Sequence, residues 1–154
     1  MTDNARGFFK RIAGAVVPPQ GPVTLVAWQP LAGNYPRLLS FEARALSGRA
    51  GLYLLWHLGV RPQWLRAGYS NDLGAAVAQL AADPEVAAFA AHDGPFFAWS
   101  FCPPARAPGL INDLINRLHP VLQDRVFPCD AALLPEAPMV SCPLPAGTKE
   151  IGAH

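Results

Sequence analysis

The stretch GLYLLWHLGVRPQWLRAGYSNDL runs from Gly51 to Leu73. GLYLLWHL is apolar with one polar interruption at His57, and reads as a strand. GVRP supplies a turn, with Gly59 and Pro62 constraining its backbone. QWLRAGYS alternates, which predicts a second strand with Trp64, Arg66 and Gly68 on one face and Leu65 and Ala67 on the other. A connection of a few residues can only return antiparallel, so Gly51–His57 and Gln63–Ser70 are expected to be antiparallel neighbours.

Outward from this hairpin the pattern changes. The alanine-rich run after it, from Ser70 to Gly94, is helical in period, with Ser70 or Asn71 as the cap. Asp83-Pro84 opens a further stretch of helix. PFFAWSFCPP is a third strand, closed by two prolines. PGLINDLINRLHPVLQDR is amphipathic, with Leu110, Leu114, Ile115, Leu118 and Leu122 sharing a face. On the N-terminal side, PVTLVAWQP (Pro22–Pro30) is an edge strand framed by prolines. NYPRLLSFEARALSG holds a short helix that Ser40 can cap and that Gly48 follows. The order strand, strand, helix, strand, helix predicts an α+β fold, a small mixed or antiparallel sheet of three to four strands packed with helices.

The chain divides into an N-terminal part (1–48), a core (49–126) and a proline-rich extension (127–154) that wraps the domain surface. Its 154 residues suit one domain, and 51% hydrophobic residues allow a real core. The net charge of +1 predicts no strong nucleic-acid affinity. What excess there is sits at the front, where Arg6, Lys10, Arg11, Arg37 and Arg44 face Asp3 and Glu42. GFFKRIAGAVV places Phe8, Phe9, Ile12 and Val16 on one face of a short helix that Pro18 ends. That helix either docks on its own domain or serves a protein partner or an anionic membrane surface through residues 8–17. Cys102, Cys129 and Cys142, an odd number without a secretory signal, suggest a cytoplasmic protein. A Cys129–Cys142 bridge would need an oxidising compartment, and the spacing does not suit zinc.

The GLY of Gly51-Leu52-Tyr53, the RAG of Arg66-Ala67-Gly68, the NDL of Asn71–Leu73, the third strand and the LI…LHP helix together resemble a GIY-YIG nuclease domain over Gly51–Arg125. That resemblance implies a phosphodiester-cleaving site built from a tyrosine, a second tyrosine on the next strand, an arginine on the following helix and a metal-binding glutamate on a later one. Here Arg66 stands at the second tyrosine position, Ala76 at the arginine position, and Ile111 or Asn112 at the glutamate position. Cation and metal ligand are lost together, and with them the charge stabilisation the reaction needs. The resemblance therefore implies a degenerate domain without metal or cofactor, serving as a non-catalytic binding or scaffold module for a protein partner.

The alternative is a nuclease with a relocated site built from Tyr53, Arg66 and Asp113. A cleft in which Tyr53, Arg66 and a carboxylate converge favours the enzyme; a filled pocket favours the module. Each residue also has a plainer reading. Tyr53 suits a strand-face tyrosine in the core, Arg66 a solvated strand arginine, and Asp113 lies about 100° around its helix from Asn112. Trp64, if exposed beside Arg61 and Arg66, can stack on a base or a partner side chain; otherwise it packs at the strand start.

Overall fold

The computed structural model of the chain describes residues 26–31, 33–131, 134–149 and 151–152. The helix expected over Phe8–Val17 lies outside the described residues. Three strands, β1 (Gly51–His57), β2 (Gln63–Ser70) and β3 (Phe96–Phe101), form one sheet in the order β2-β1-β3. Both pairings are antiparallel, with Gly51 opposite Ser70 on one side and Phe101 on the other. The helices are α1 (Leu73–Ala82), α2 (Pro84–Ala88) and α3 (Ala107–Leu118). The fold is α+β, in the element order expected.

The sheet is buried on both faces because β1 carries no polar alternation except at its end. Leu52, Leu54 and Trp56 point to one cluster, with Trp64, Tyr69, Ala98 and the α3 residues Leu110, Ile111 and Leu114. Tyr53 and Leu55 point to the other, with Phe97, Leu38, Leu46 and the α1 residues Leu73, Ala76, Val77 and Leu80. Helices thus cover opposite faces of one thin sheet.

A β-bulge corrects the expected alternation in β2. Trp64 pairs with Trp56 and Arg66 with Leu55, so Leu65 is the extra residue. An inserted residue puts two neighbours on one side. Trp64 accordingly joins the α3 face, while Leu65 and Arg66 both turn to the α1 face. Without the bulge, Arg66 would share a side with Trp64.

Other local expectations change for equally specific reasons. The expected helix after Asn34 is two 3-10 turns, Leu38–Ser40 and Ala43–Leu46, separated by extended Phe41 and Glu42. Backbone bonds from Leu38 N to Pro95 O and from Phe97 N to Pro36 O tie this stretch to the open edge of β3. Ser40 therefore ends a turn rather than capping a helix. Of the expected Pro22–Pro30 strand, residues 22–25 lie outside the described residues, and Gln29 bridges Trp99 at the edge of β3. Asp72, not Ser70 or Asn71, caps α1, accepting from Ala75 N at 3.1 Å and from Gly48 N at 2.9 Å. Ser70 instead bonds the Asp72 backbone and Cys129 O. α3 stops at His119 (φ 47°) because Pro120 cannot continue it, so Leu122 leaves the helix and packs on the opposite sheet face.

Asp83 caps α2 as the Asp-Pro pair suggests, accepting from Glu85 N and Val86 N, and also pairs with Arg125. Burial alone would raise its carboxyl, but Arg125 and the Val86 and Glu85 amides hold it below the usual aspartate range. Asp83→Ala is expected to cost roughly 1–2 kcal/mol in urea unfolding at neutral pH. A carboxyl held low in the folded state stabilises above its ordinary value and ceases to do so as pH falls through it. The difference between wild type and variant should therefore shrink below about pH 4.

Candidate functional site

Tyr53 and Arg66, from adjacent strands, do meet. Arg66 Nε donates to the Tyr53 hydroxyl at 3.0 Å. The carboxylate that joins them is Asp130, not Asp113. Tyr53 donates to Asp130 at 2.8 Å, and Arg66 Nη2 donates to the same carboxylate at 2.6 Å. The remaining Arg66 nitrogen, Nη1, donates to the carbonyls of Leu122 (3.1 Å), Gln123 (3.3 Å) and Arg125 (2.8 Å). The Phe127 ring lies under the guanidinium, 4.8 Å from its carbon. Each of the three guanidinium nitrogens is engaged, on protein partners alone.

The position of Gly68 depends on this cluster. A Cβ there would sit 2.6 Å from the Tyr53 ring and hydroxyl. The glycine of RAG is thus required by close approach of an aromatic side chain on the neighbouring strand.

The cluster is closed. Tyr53 is fully buried, and the Arg66 and Asp130 side chains are 6% and 11% exposed. Burial, then the Asp130 charge, pushes the Tyr53 phenol well above its usual value, against the pull of Arg66. At neutral pH the phenol is a protonated donor. Burial works against the Arg66 charge, but Tyr53 and Asp130 outweigh it and its hold on the proton is raised. The lid is the chain from Val121 to Ala131, which runs along the free edge of β2. Val121 N bonds Trp64 O, Leu122 N bonds Leu65 O, and Ala131 N bonds Tyr69 O. Between them the Gln123 amide stands in for a strand residue, bonding both N and O of Ala67.

Asp113 lies on α3, across the sheet. It accepts from Arg117 Nη2 at 2.9 Å and from Cys142 N at 2.9 Å. Asn112 donates to the carbonyls of Leu134 and Ala137. Both side chains hold the C-terminal extension down. Ala76 and Ile111 are buried in the two cores. Trp64 is not exposed. It is packed at 5.5 Å from Trp56, and its indole N–H donates to Ile151 O. Nor is Arg66 on a wet face. Arg61 is exposed at the hairpin tip. Phe8, Phe9 and Ile12 lie outside the described residues. Cys129 and Cys142 pack toward opposite faces of the sheet as free thiols, so the bridge between them is not formed. Burial first, and then Asp130 for Cys129 or Asp113 for Cys142, pushes each thiol up to about 12. Neither is a thiolate nucleophile at neutral pH. Among the described residues no group of three or more His, Cys, Asp or Glu side chains is placed to hold a metal.

Open surface lies elsewhere. A cleft of about 360 Å³ beside the hairpin is lined by Tyr35, Trp56, Leu58, Phe96 and Ile151, among others. Leu58 is 43% exposed, and Val60 at the hairpin tip is wholly so. No family model, no curated protein and no solved structure matches the chain.

Asp130 was not foreseeable as the partner of Arg66. It sits in a proline-rich stretch without periodicity, and only the turn after α3 brings it to β2. Arg66→Met should leave Asp130 buried without its counter-charge and cost about 3–5 kcal/mol in urea unfolding. Adding Asp130→Leu should cost less than the sum of the two single changes. A loss under about 1 kcal/mol for Arg66→Met would contradict a structural role for the pair.

Proposed function

We propose that this chain is a non-catalytic binding or scaffold module, built on a degenerate GIY-YIG-like domain, that engages a protein partner in the cytosol. The observation that carries this reading is the closure of the Tyr53–Arg66–Asp130 cluster. A phosphodiester site needs a cation with donors free for phosphate, and a group that can accept a proton. Here each guanidinium nitrogen already donates to protein carbonyls, a hydroxyl or a carboxylate, and the tyrosine is held protonated. Ala76 and Ile111 add apolar contacts where charge would be needed.

The relocated nuclease is favoured by one observation, the contact between Tyr53 and Arg66. It lacks the cleft, and Asp113 faces the opposite side of the sheet. A protein partner suits the surface better than nucleic acid. Residues 49–126 carry six arginines, of which Arg66, Arg117 and Arg125 are spent on Asp130, Asp113, Asp83 and Glu85. Nonspecific nucleic-acid affinity rests on unspent cations. The exposed tip instead offers Leu58, Val60 and Arg61 beside an aromatic-lined cleft. Both outer sheet edges are bonded to the chain itself, β2 by residues 121–131 and β3 by residues 29 and 36–38. A partner would therefore meet side chains rather than add a strand. No described helix is long and apolar enough to cross a membrane.

Two measurements test this. Repurified protein with magnesium or manganese should leave plasmid and single-stranded DNA intact; cleavage that disappears in Tyr53→Phe would establish the enzyme instead. Val60→Asp should fold with unchanged thermal stability, since Val60 packs against none of the described residues. It should weaken partner association roughly tenfold or more.

A further inference from the structure

His57 ends β1 and is 4% exposed. Its ring nitrogens face two different partners. Nδ1 lies 3.2 Å from the backbone N of Gly59, and Nε2 lies 3.0 Å from Gln63 Oε1. The Gly59 amide can only donate, so Nδ1 must present a bare lone pair and Nε2 must carry the hydrogen. The partners thereby define one neutral tautomer.

The ring has little room to choose another arrangement. It stacks on Phe89 at 5.0 Å between centroids and meets the His92 ring at 5.9 Å. A Cβ on Gly59 would sit 2.9 Å from His92 O, and one on Gly94 would sit 2.9 Å from His57 Cβ. The hairpin turn and the corner before β3 thus grip the imidazole through two glycines. The corner itself is fixed. Leu58 N donates to Asp93 O, and the Asp93 carboxylate is taken by Arg37 at 2.7 Å. The turn is held more lightly, by one backbone bond from Gly152 N to Pro62 O, and among the described residues Arg61 is exposed and nothing covers Val60.

We propose that His57 is an acid-sensitive latch whose protonation at Nδ1 releases Gly59 and opens the turn carrying Val60 and Arg61. The step is a single proton transfer from solvent to Nδ1. It replaces an N–H···N bond with two N–H groups facing each other at bonding distance, in a buried site. Moving the turn, whose tip at Val60 is exposed, relieves this. The charged and titratable groups on the segments packed against the ring are His92 and Asp93 in the corner, Arg37 paired with Asp93, and the exposed Arg61 in the turn. β2 presents only the neutral Gln63 and Trp64. A proton on His92 adds a like charge near the ring and acts in the same direction. The latch governs the same tip that the proposed partner surface uses. Its consequence for binding rests on that reading, but its existence does not.

The test is amide exchange and ring-carbon NMR on the full chain, from about pH 8 to about pH 5, the span in which imidazoles change charge. Gly59 protection, normalised to the unstructured exchange rate at each pH, should fall at least about tenfold, with the midpoint of the His57 ring titration. Leu54, central in β1, should stay protected. His57→Gln, which cannot titrate, should abolish the pH dependence, and His92→Gln should keep it. Three results would each overturn the proposal: a His57 ring that titrates while Gly59 stays protected, a ring that does not titrate, or a loss of protection that persists in His57→Gln. The wild-type comparison of midpoints decides the matter even if the glutamine variant fails to fold. Absence of any partner would defeat the proposed function and leave this result untouched.

Discussion

A guanidinium carried into the interior must find partners for its N–H groups, and the environment of Arg66 follows from that demand. The bulge at Leu65 turns Arg66 inward to the α1 face. Three carbonyls after α3, the Tyr53 hydroxyl and the Asp130 carboxylate converge on it. The net stability gained from such a pair is small, because desolvation offsets much of the attraction. Its effect is geometric. Residues 122–130 reach the buried charge only by lying close to it, and the bonds they make there hold the chain along the edge of β2. Pro120 ends the helix at the point where this run must begin.

Two consequences follow for the sheet. With residues 121–131 on β2 and residues 29 and 36–38 on β3, neither outer edge offers a run of free backbone groups. Open edges are the usual route to strand addition and aggregation. The C-terminal extension is likewise part of the packing. Cys142 and Ile151 join one core and Phe127 the other, while Trp28 and Trp64 donate to carbonyls of Pro143 and Ile151. Both indoles are buried with their N–H bonded, so the extension supplies acceptors that the sheet lacks.

Regular elements were legible where period and punctuation agreed. The hairpin, β3, Asp83 at the start of α2 and the amphipathic α3 all follow from local pattern. Trp64 and Arg66 were not placed correctly, because strict alternation ignores a bulge, and nothing in QWLRAGYS announces one. The Asp72 cap was missed because Ser70, the better-known cap residue, spends its hydroxyl on the turn before it. Asp130 was invisible for a different reason. Its role arises from a contact 64 residues away in sequence, within a segment whose prolines erase any period. The candidate site was therefore half legible: Tyr53 and Arg66 stood out as a chemically interesting pair, while the carboxylate that decides what they do did not.

That carboxylate settles how the pair behaves. An arginine beside a tyrosine can lower the phenol and prepare it as a base. Asp130 acts in the opposite direction, since it both accepts a hydrogen bond from the phenol and disfavours a second negative charge nearby. Adding burial, the phenol stays neutral and every guanidinium nitrogen keeps a protein partner. A substrate phosphate would have to displace Asp130 and several carbonyls at once, and strip the edge from β2 in doing so. The same residues cannot both close the fold and remain free for chemistry. In this chain they close it, and the side chains of Val60 and Arg61 at the hairpin tip are left exposed.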